Sequence, residues 1–434
     1  MPHPLRGTAH GARQWLFGLL LVALATAGFA LGTGSAFRPP PGYVGDFTQD
    51  WLAVREFGAG RPVYGSLPDA LRRHMNGEPP EDFLQWNAHP PGSLFLVLPL
   101  ARLDHADAFF VWNLVTFPLF VVAVGIVLVE LGAGSGRARA GAATVIAVAG
   151  ATCYPLYHQV LMGQFNALLA FLFALAWAAD RRDRAVLAGA AIGLAAAVKL
   201  FPAFLALYLI AARRWRALGA AAATAAAIGA LALGLFGTGA WRTYAGEVVP
   251  AVSAKYATQW NNLTLRAFWL RLFDPTPESR VIPLYHAPVL GAALAAAARL
   301  AVTGLAARAA WRAASVAGRD RAFAATVAAV VLVSPIAWPH YLILLVVPVG
   351  VTGAALRHSA WRWPLGACLA VLWLPETFVP GLVLGPARAE LMGIHRHAPF
   401  TPAENLLVTS VQHYAVLGLF LLTLRAPGGP DGPR

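Results

Sequence analysis

The chain has 434 residues, 58% of them hydrophobic and 12% charged, with a net charge of +13. Its mean hydropathy of +0.60 excludes an ordinary soluble globular protein, and no polar block is long enough to form a separate soluble domain. The basic excess falls in arginine clusters between apolar runs, where it reads as a topology signal, and no nucleic-acid motif accompanies it, so nucleic acid is not an expected partner.

A helix needs about 20 apolar residues to cross a hydrocarbon core roughly 30 Å thick. On that scale, spans are expected over 14–33, 108–130, 141–157, 164–180, 185–198, 200–212, 216–237, 285–307, 322–338, 340–356, 364–384 and 409–425. The expected fold class is therefore an all-α polytopic membrane protein with about twelve transmembrane helices, residues 1–434 forming a single integral membrane domain. Arg6 and Arg13 precede the first run, as in a signal peptide, but Trp15–Leu31 is long for a signal core and is read as a retained helix. Several spans are short, and short or interrupted spans mark sites inside the membrane. Cys153 and Cys368 both lie in apolar runs and read as membrane-buried thiols rather than as a disulfide.

Arginines orient the loops. Arg137 and Arg139, Arg181 to Arg184, Arg213 to Arg216, Arg308 to Arg321, and Arg357 with Arg362 all fall on the side of Arg6 and Arg13. The positive-inside rule makes that side, and both termini, cytoplasmic in the plasma membrane. Residues 34–92, 154–165, 238–284 and 385–408 and the Trp338–His340 corner then face outward. Ser93–Leu103 is apolar but short, and reads as a re-entrant or interfacial helix in preference to a span that would reverse the parity of the following helices. The first outer loop, 34–92, carries seven acids, and Asp69–Asn76 within it has the pattern of a short amphipathic surface helix. The second large outer loop is 238–284.

Ionisable and polar residues at membrane depth are costly and mark function by default. Asp46 follows Pro39-Pro40-Pro41-Gly42, which ends the first helix, and a carboxylate beside Phe47 and Trp51 suits a general base, with a helix cap as the plainer role. Asp50, four residues on, shares its face if this stretch is helical, and otherwise is simply solvated. His89 sits in a stiff His-Pro-Pro-Gly entry. Gln164 and Asn166 stand at the mouth of a span, placed to bind a sugar or to pair helices. Lys199 lies between two short apolar runs with Pro202 breaking the helix, either snorkelling or facing a phosphate. Arg266 and His340 are further outer-side cations suited to phosphate oxygens. There is no phosphate-binding glycine loop, no Cys/His zinc spacing, no His-Glu-x-x-His and no nucleophilic-serine elbow, so no cofactor or metal is expected.

In order along the chain stand Asp46-Phe47 with Gly60 to Tyr64, His89-Pro90-Pro91, Gly163-Gln164-Phe165-Asn166, Lys199 to Pro202 with Arg213 to Arg216, and Ser334-Pro335-Ile336-Ala337-Trp338-Pro339-His340. This series resembles glycosyltransferase family 87, the polyprenyl-phosphate-mannose-dependent mannosyltransferases of bacterial envelopes, over about residues 42–350. Two positions depart from the family pattern: Thr48-Gln49-Asp50-Trp51 replaces a Tyr-rich stretch, and Tyr341 replaces the second residue of a His-His pair. The resemblance implies a GT-C-type fold with an outer-face active site. It implies Asp46 as catalytic base, Lys199, Arg266 and His340 on the donor phosphate, and Asp50, His89, Gln164 and Asn166 on substrate. It implies inverting transfer of a sugar, with mannose the expected one, from a polyprenyl-phosphate donor to a lipid or glycan acceptor, with the lipid tail in a groove between helices and no metal. A transporter or lipid flippase, the same enzyme class with arabinose or glucose as donor sugar, and a non-catalytic assembly protein are the alternatives; no internal repeat of the kind a transporter carries is evident.

Overall fold

The computed structural model describes residues 27–132, 148–393 and 398–426, except 28, 39, 81, 82 and 149. Most of the span expected over 14–33 and the first part of 141–157, with Arg6, Arg13, Arg137 and Arg139, lie outside the described residues. The described chain is helical, without strands, and has one isolated bridge, Val281 to Phe400. Helices α1 (Asp46–Gly58) and α2 (Leu67–Met75) fill the first expected loop. They are followed by α3 (His105–Glu130), α4 (Tyr154–Met162), α5 (Asn166–Arg181), α6 (Ala185–Val198) and α7 (Trp215–Thr243). After a second irregular region come α8 (Leu265–Phe273), α9 (Pro288–Trp311), α10 (Val316–Val333), α11 (Val346–Leu356), α12 (Arg362–Trp373) and α13 (Val411–Arg425).

Among the described residues four helices are long and apolar enough to cross a bilayer, and seven if each of three bent pairs counts as one span. The chain is thus a multi-pass membrane protein. Several expected spans are short or broken pieces: Ala185–Val198 and Phe201–Ala211 are short apolar helices, and 364–384 is two helices meeting at 88°; Pro91–Arg102, read as a re-entrant or interfacial helix, is likewise short. Polarity accounts for another difference. Helix α10 opens with Arg319, Asp320 and Arg321, yet every residue from Ala322 to Val333 is buried, so it runs through the protein rather than against lipid. Close packing comes from small residues. Gly189 and Gly193, one turn apart on α6, lie so near the Ala217 and Ala221 carbonyls of α7 that a Cβ at either would collide with them.

The arginines at one end of the bundle are paired. Arg214 donates to Asp180 at 2.7 Å and reaches Asp183 at 2.9 Å, Arg182 reaches Glu130 at 2.6 Å, and Arg181 approaches Asp320 at 3.5 Å. Tyr208 and Trp177 donate to Asp180 and Asp320. The clusters at 181–184, 213–216 and 319–321 therefore meet at one end of the bundle.

In the first loop, Leu67, Ala70 and Leu71 form the buried stripe of α2, with Ser66 capping its start. One carboxylate ties this helix to α1: Glu56 accepts from Arg61, Arg73 and His74, each at 2.7 Å. Burial alone would raise the pKa of Glu56, but the hydrogen bonds from these three outweigh it and hold the carboxyl at about 2 against an ordinary 4.5. A lowered folded-state pKa stabilises the loop above the ordinary value, and that stabilisation is lost as pH falls from 4.5 toward about 2. Both arginines are partly in solvent, so the effect is local. Glu56→Gln is expected to speed hydrogen exchange across Leu67–Met75 at neutral pH, while the bundle stays protected. Unchanged exchange in the variant would show that Glu56 does not hold the loop.

Candidate active site

The site is built where α1 begins. Gly45 is the N-cap, Asp46 is the first helical residue, and a carboxylate in the first turn faces the positive end of the helix dipole. Thr48 Oγ1 accepts from the Gly45 amide at 3.1 Å and lies 3.0 Å from His105 Nε2, which fixes this start against α3.

Opposite Asp46, α4 turns into α5 through 120° at Gly163. Gly163 adopts φ +63°, and a Cβ there would strike Phe47 and Phe109, so only glycine permits both the turn and the approach of α1. Trp112 Nε1 donates to the Gly163 carbonyl at 2.7 Å, Asn113 to that of Val160 at 3.1 Å, and Gln159 to that of Gln164. The turn delivers Gln164, whose amide Nε2 donates to Asp46 Oδ2 at 2.5 Å. Its Oε1 accepts from Lys199 Nζ, also at 2.5 Å. Lys199 leaves the end of α6 in extended backbone and is 4% exposed. It lies 3.4 Å from Asn166 Oδ1 and from the Tyr341 hydroxyl, and 4.7 Å above the Tyr341 ring. A carboxylate and an ammonium are thus joined through one neutral amide.

A second clamp fixes the His-Pro-Pro entry. Gln49 accepts from the Ala88 amide at 2.8 Å, and Asp50 accepts from Asn87 Nδ2 and pairs with His89 Nδ1, each at 2.9 Å. With Nδ1 engaged, His89 borders the cavity while Asp50 stands behind it.

The far wall is the Ser334–His340 segment. Asn262 shapes it: its Oδ1 accepts from the Ala337 and Thr264 amides at 3.2 Å, and its Nδ2 donates to the carbonyls of Tyr256 at 2.9 Å and Pro335 at 3.4 Å. Pro339 then starts a 3-10 turn that buries His340. His340 meets the His158 ring edge-on, with centroids 5.1 Å apart. His158 Nδ1 and both ring nitrogens of His340 are buried without a hydrogen-bond partner among the described residues. These groups enclose a cavity of about 500 Å³ bordered by Asp46, His89, Gln164, Lys199, His158 and His340, with Tyr244, Tyr256 and Trp338.

The structure therefore brings Asp46, His89, Gln164, Lys199 and His340 to one cavity. Asn166 stands just behind it, donating to the His340 carbonyl at 3.4 Å. Arg266 does not border the cavity. Its guanidinium donates to the Ser253 carbonyl at 3.3 Å, and Ser253 is the lining residue. The buried, fully engaged cation of that loop is Arg271, bonded to Asn405 at 3.0 Å and to the Gln259 and Asn262 carbonyls at 2.9 Å. Sequence reasoning missed it because it lies in the helical run of α8, with nothing to mark a tertiary partner more than a hundred residues away. It also passed over His158, although the polar run Tyr154 to Gln159 leads straight into Gly163-Gln164.

Comparison with known proteins bears on the same residues. The chain matches the sequence model of glycosyltransferase family 87 over residues 87–335, more than half its length. It is 28% identical over 156 residues to the polyprenol-phosphate-mannose-dependent alpha-(1-2)-phosphatidylinositol pentamannoside mannosyltransferase of Mycolicibacterium smegmatis, covering 36% of this chain and 37% of that relative. No solved structure matches. The family match takes in His89, Gln164 and Lys199, while Asp46 and His340 lie outside it and join the site by geometry alone. A helical bundle with a polar cavity and a family match across its middle lead to one conclusion: the chain belongs to glycosyltransferase family 87.

Proposed function

We propose that the protein transfers a sugar, mannose by analogy with the donor of its relative, from a polyprenyl-phosphate carrier to a hydroxyl of a lipid or glycan acceptor at the outer face of the membrane. The observation that carries this reading is the Asp46–Gln164–Lys199 link, which sets an acceptor of protons and a buried cation at two sides of one cavity. Asp46 takes the proton of the acceptor hydroxyl as its oxygen bonds to the anomeric carbon. The bond from that carbon to the phosphate oxygen breaks, and the phosphate leaves with the electron pair on the opposite side, giving inversion. Lys199 and His340, with His158 beside them, supply preorganised charge and N–H donors to the departing phosphate. His89, oriented by Asp50, and Asn166 position the sugar and its neighbours. Arg266 acts from outside, holding the Ser253 wall.

Three experiments test this. Asp46→Asn keeps the shape and the Gln164 contact but cannot take the proton. Transfer from polyprenyl-phosphate mannose in membranes is expected to fall by about 10²–10⁴, with normal expression. Near-normal activity would remove Asp46 as the base.

Lys199→Met and His158→Phe are expected to lower kcat more than they raise KM, by about 10²–10³ for the lysine, because their contacts strengthen as phosphate charge develops. A change confined to KM would make these residues ordinary binding contacts.

For the facing of the site, cysteines placed at Ser66 and at Tyr285, which is 72% exposed, are expected to react with an impermeant thiol reagent on intact cells. Reaction only after permeabilisation would put the site on the cytoplasmic side.

A further inference from the structure

The arginines at the end of the bundle away from Lys199 divide into two groups. Arg181, Arg182, Arg214 and Arg319 each meet a carboxylate of Glu130, Asp180 or Asp320. Arg213, Arg308 and Arg312 are exposed and make no ion pair among the described residues. The second group is not scattered. Arg213 precedes α7 in left-handed backbone, φ +58°, a region that a residue with a Cβ rarely enters. From that turn its guanidinium lies 4.3 Å above the ring of Trp311, the last residue of α9. Arg308 and Arg312 are one turn apart on α9 and flank Trp311, so the three cations share one stretch of surface.

The indoles set the level of this surface. Both helices are long and apolar enough to cross a bilayer, α7 beginning at Trp215 and α9 ending at Trp311. Trp215 is 58% and Trp311 63% exposed. Large indoles on the outside of a spanning helix, at its end, lie where hydrocarbon gives way to headgroups. The pairing recurs nearby. Arg425 lies 4.1 Å above the ring of Trp361, and Arg321 donates to the Ala426 carbonyl, which puts that second pair at the same end.

Water would satisfy these arginines but not the indoles, and hydrocarbon would satisfy the indoles but not the arginines. A phospholipid satisfies both. Its phosphate oxygens match planar guanidinium forks, and its glycerol and first acyl carbons lie against the rings. Three cations with no counter-ion favour a lipid of net negative charge over a zwitterion. We infer that the corner formed by the start of α7 and the end of α9 binds an acidic phospholipid, with Arg213, Arg308 and Arg312 on its headgroup and Trp215 and Trp311 beneath it. Helix α6 runs from this end to Lys199, about 20 Å away, so the lipid is no substrate of the cavity. It bridges two spanning helices that are distant in sequence.

The test uses the full-length protein in nanodiscs of phosphatidylcholine with a minor share of phosphatidylglycerol, released into the gas phase for native mass spectrometry. The parent protein is expected to retain phosphatidylglycerol about tenfold above its share of the bilayer, and to melt at a higher temperature in these discs than in pure phosphatidylcholine. Arg308→Gln with Arg312→Gln is expected to bring retention down to the bilayer share and to abolish the thermal shift, while melting as the parent does in pure phosphatidylcholine. Trp311→Leu keeps every charge and decides the matter should the double variant fail to fold; its retention is expected to fall about threefold. Retention at the bilayer share in the parent, or full retention in the variants that fold, would overturn the assignment. So would displacement of the lipid by excess soluble glycerol phosphate, which would make the corner a site for free phosphate. A dimer of the chain without bound phosphatidylglycerol would make it a contact between copies and would overturn the assignment as well.

Discussion

Asp46 and Lys199 carry opposite charges within a few ångströms of one another, and the Gln164 amide between them is the contact on which the rest of the site depends. Direct pairing would cancel both groups. A neutral amide instead satisfies one lone pair of the carboxylate and one proton of the ammonium, leaving each with capacity for a ligand. Only one orientation of the amide serves, with nitrogen toward Asp46 and oxygen toward Lys199. That orientation needs Gln164 to leave the chain at a fixed angle, which Gly163 provides by entering left-handed backbone and by leaving room for Phe47. A local rule about one glycine thus places the amide that links two side chains brought from distant segments.

The fold answers two different electrostatic problems at its two ends. At the arginine-rich end, charges meet directly: Glu130 pairs with Arg182, Asp180 with Arg214 and Asp320 with Arg181, and Tyr208 and Trp177 donate to Asp180 and Asp320. At the cavity end, polar groups are held by neutral amides and backbone carbonyls, as with Asn262 around the Ser334 turn and Asn87 beside Asp50. The first arrangement consumes its charges in structure, whereas the second leaves several of them available. Helix α10 connects the ends and is buried throughout Ala322–Val333, and the small residues of α6 let α7 pack against the backbone that leads to Lys199.

The helical, membrane-embedded character of the chain was legible from composition, and most helix positions from apolar runs. Their number as spans was not. Run length does not distinguish a helix facing lipid from one enclosed by protein, such as α10, nor a continuous span from two pieces bent apart, as at 364–384. In the site, the residues found were those in short polar motifs beside prolines and glycines: Asp46, His89, Gln164, Lys199 and His340. What escaped was whatever depends on a partner distant in sequence. Arg266 and Arg271 are five positions apart on the same helix, and nothing local tells which one turns inward; the answer is set by Asn405 and by the Gln259 and Asn262 carbonyls. The replacement of histidine by tyrosine at Tyr341 likewise acquires meaning only in three dimensions, where the phenol stands beside the Lys199 ammonium.

The chain is also unusual in how it uses amines. Of its 33 basic residues only Lys199 and Lys255 are lysines, the remainder being arginine. Guanidinium stays protonated and is a poor nucleophile, whereas a lysine amine reacts once it loses its proton. An amine-acylating reagent therefore meets just two side-chain amines, and one of them, Lys199, is buried beside the cavity. Whatever occupies that cavity shields Lys199 while leaving Lys255 as an internal reference, so the protein carries a built-in chemical footprint of its own occupancy.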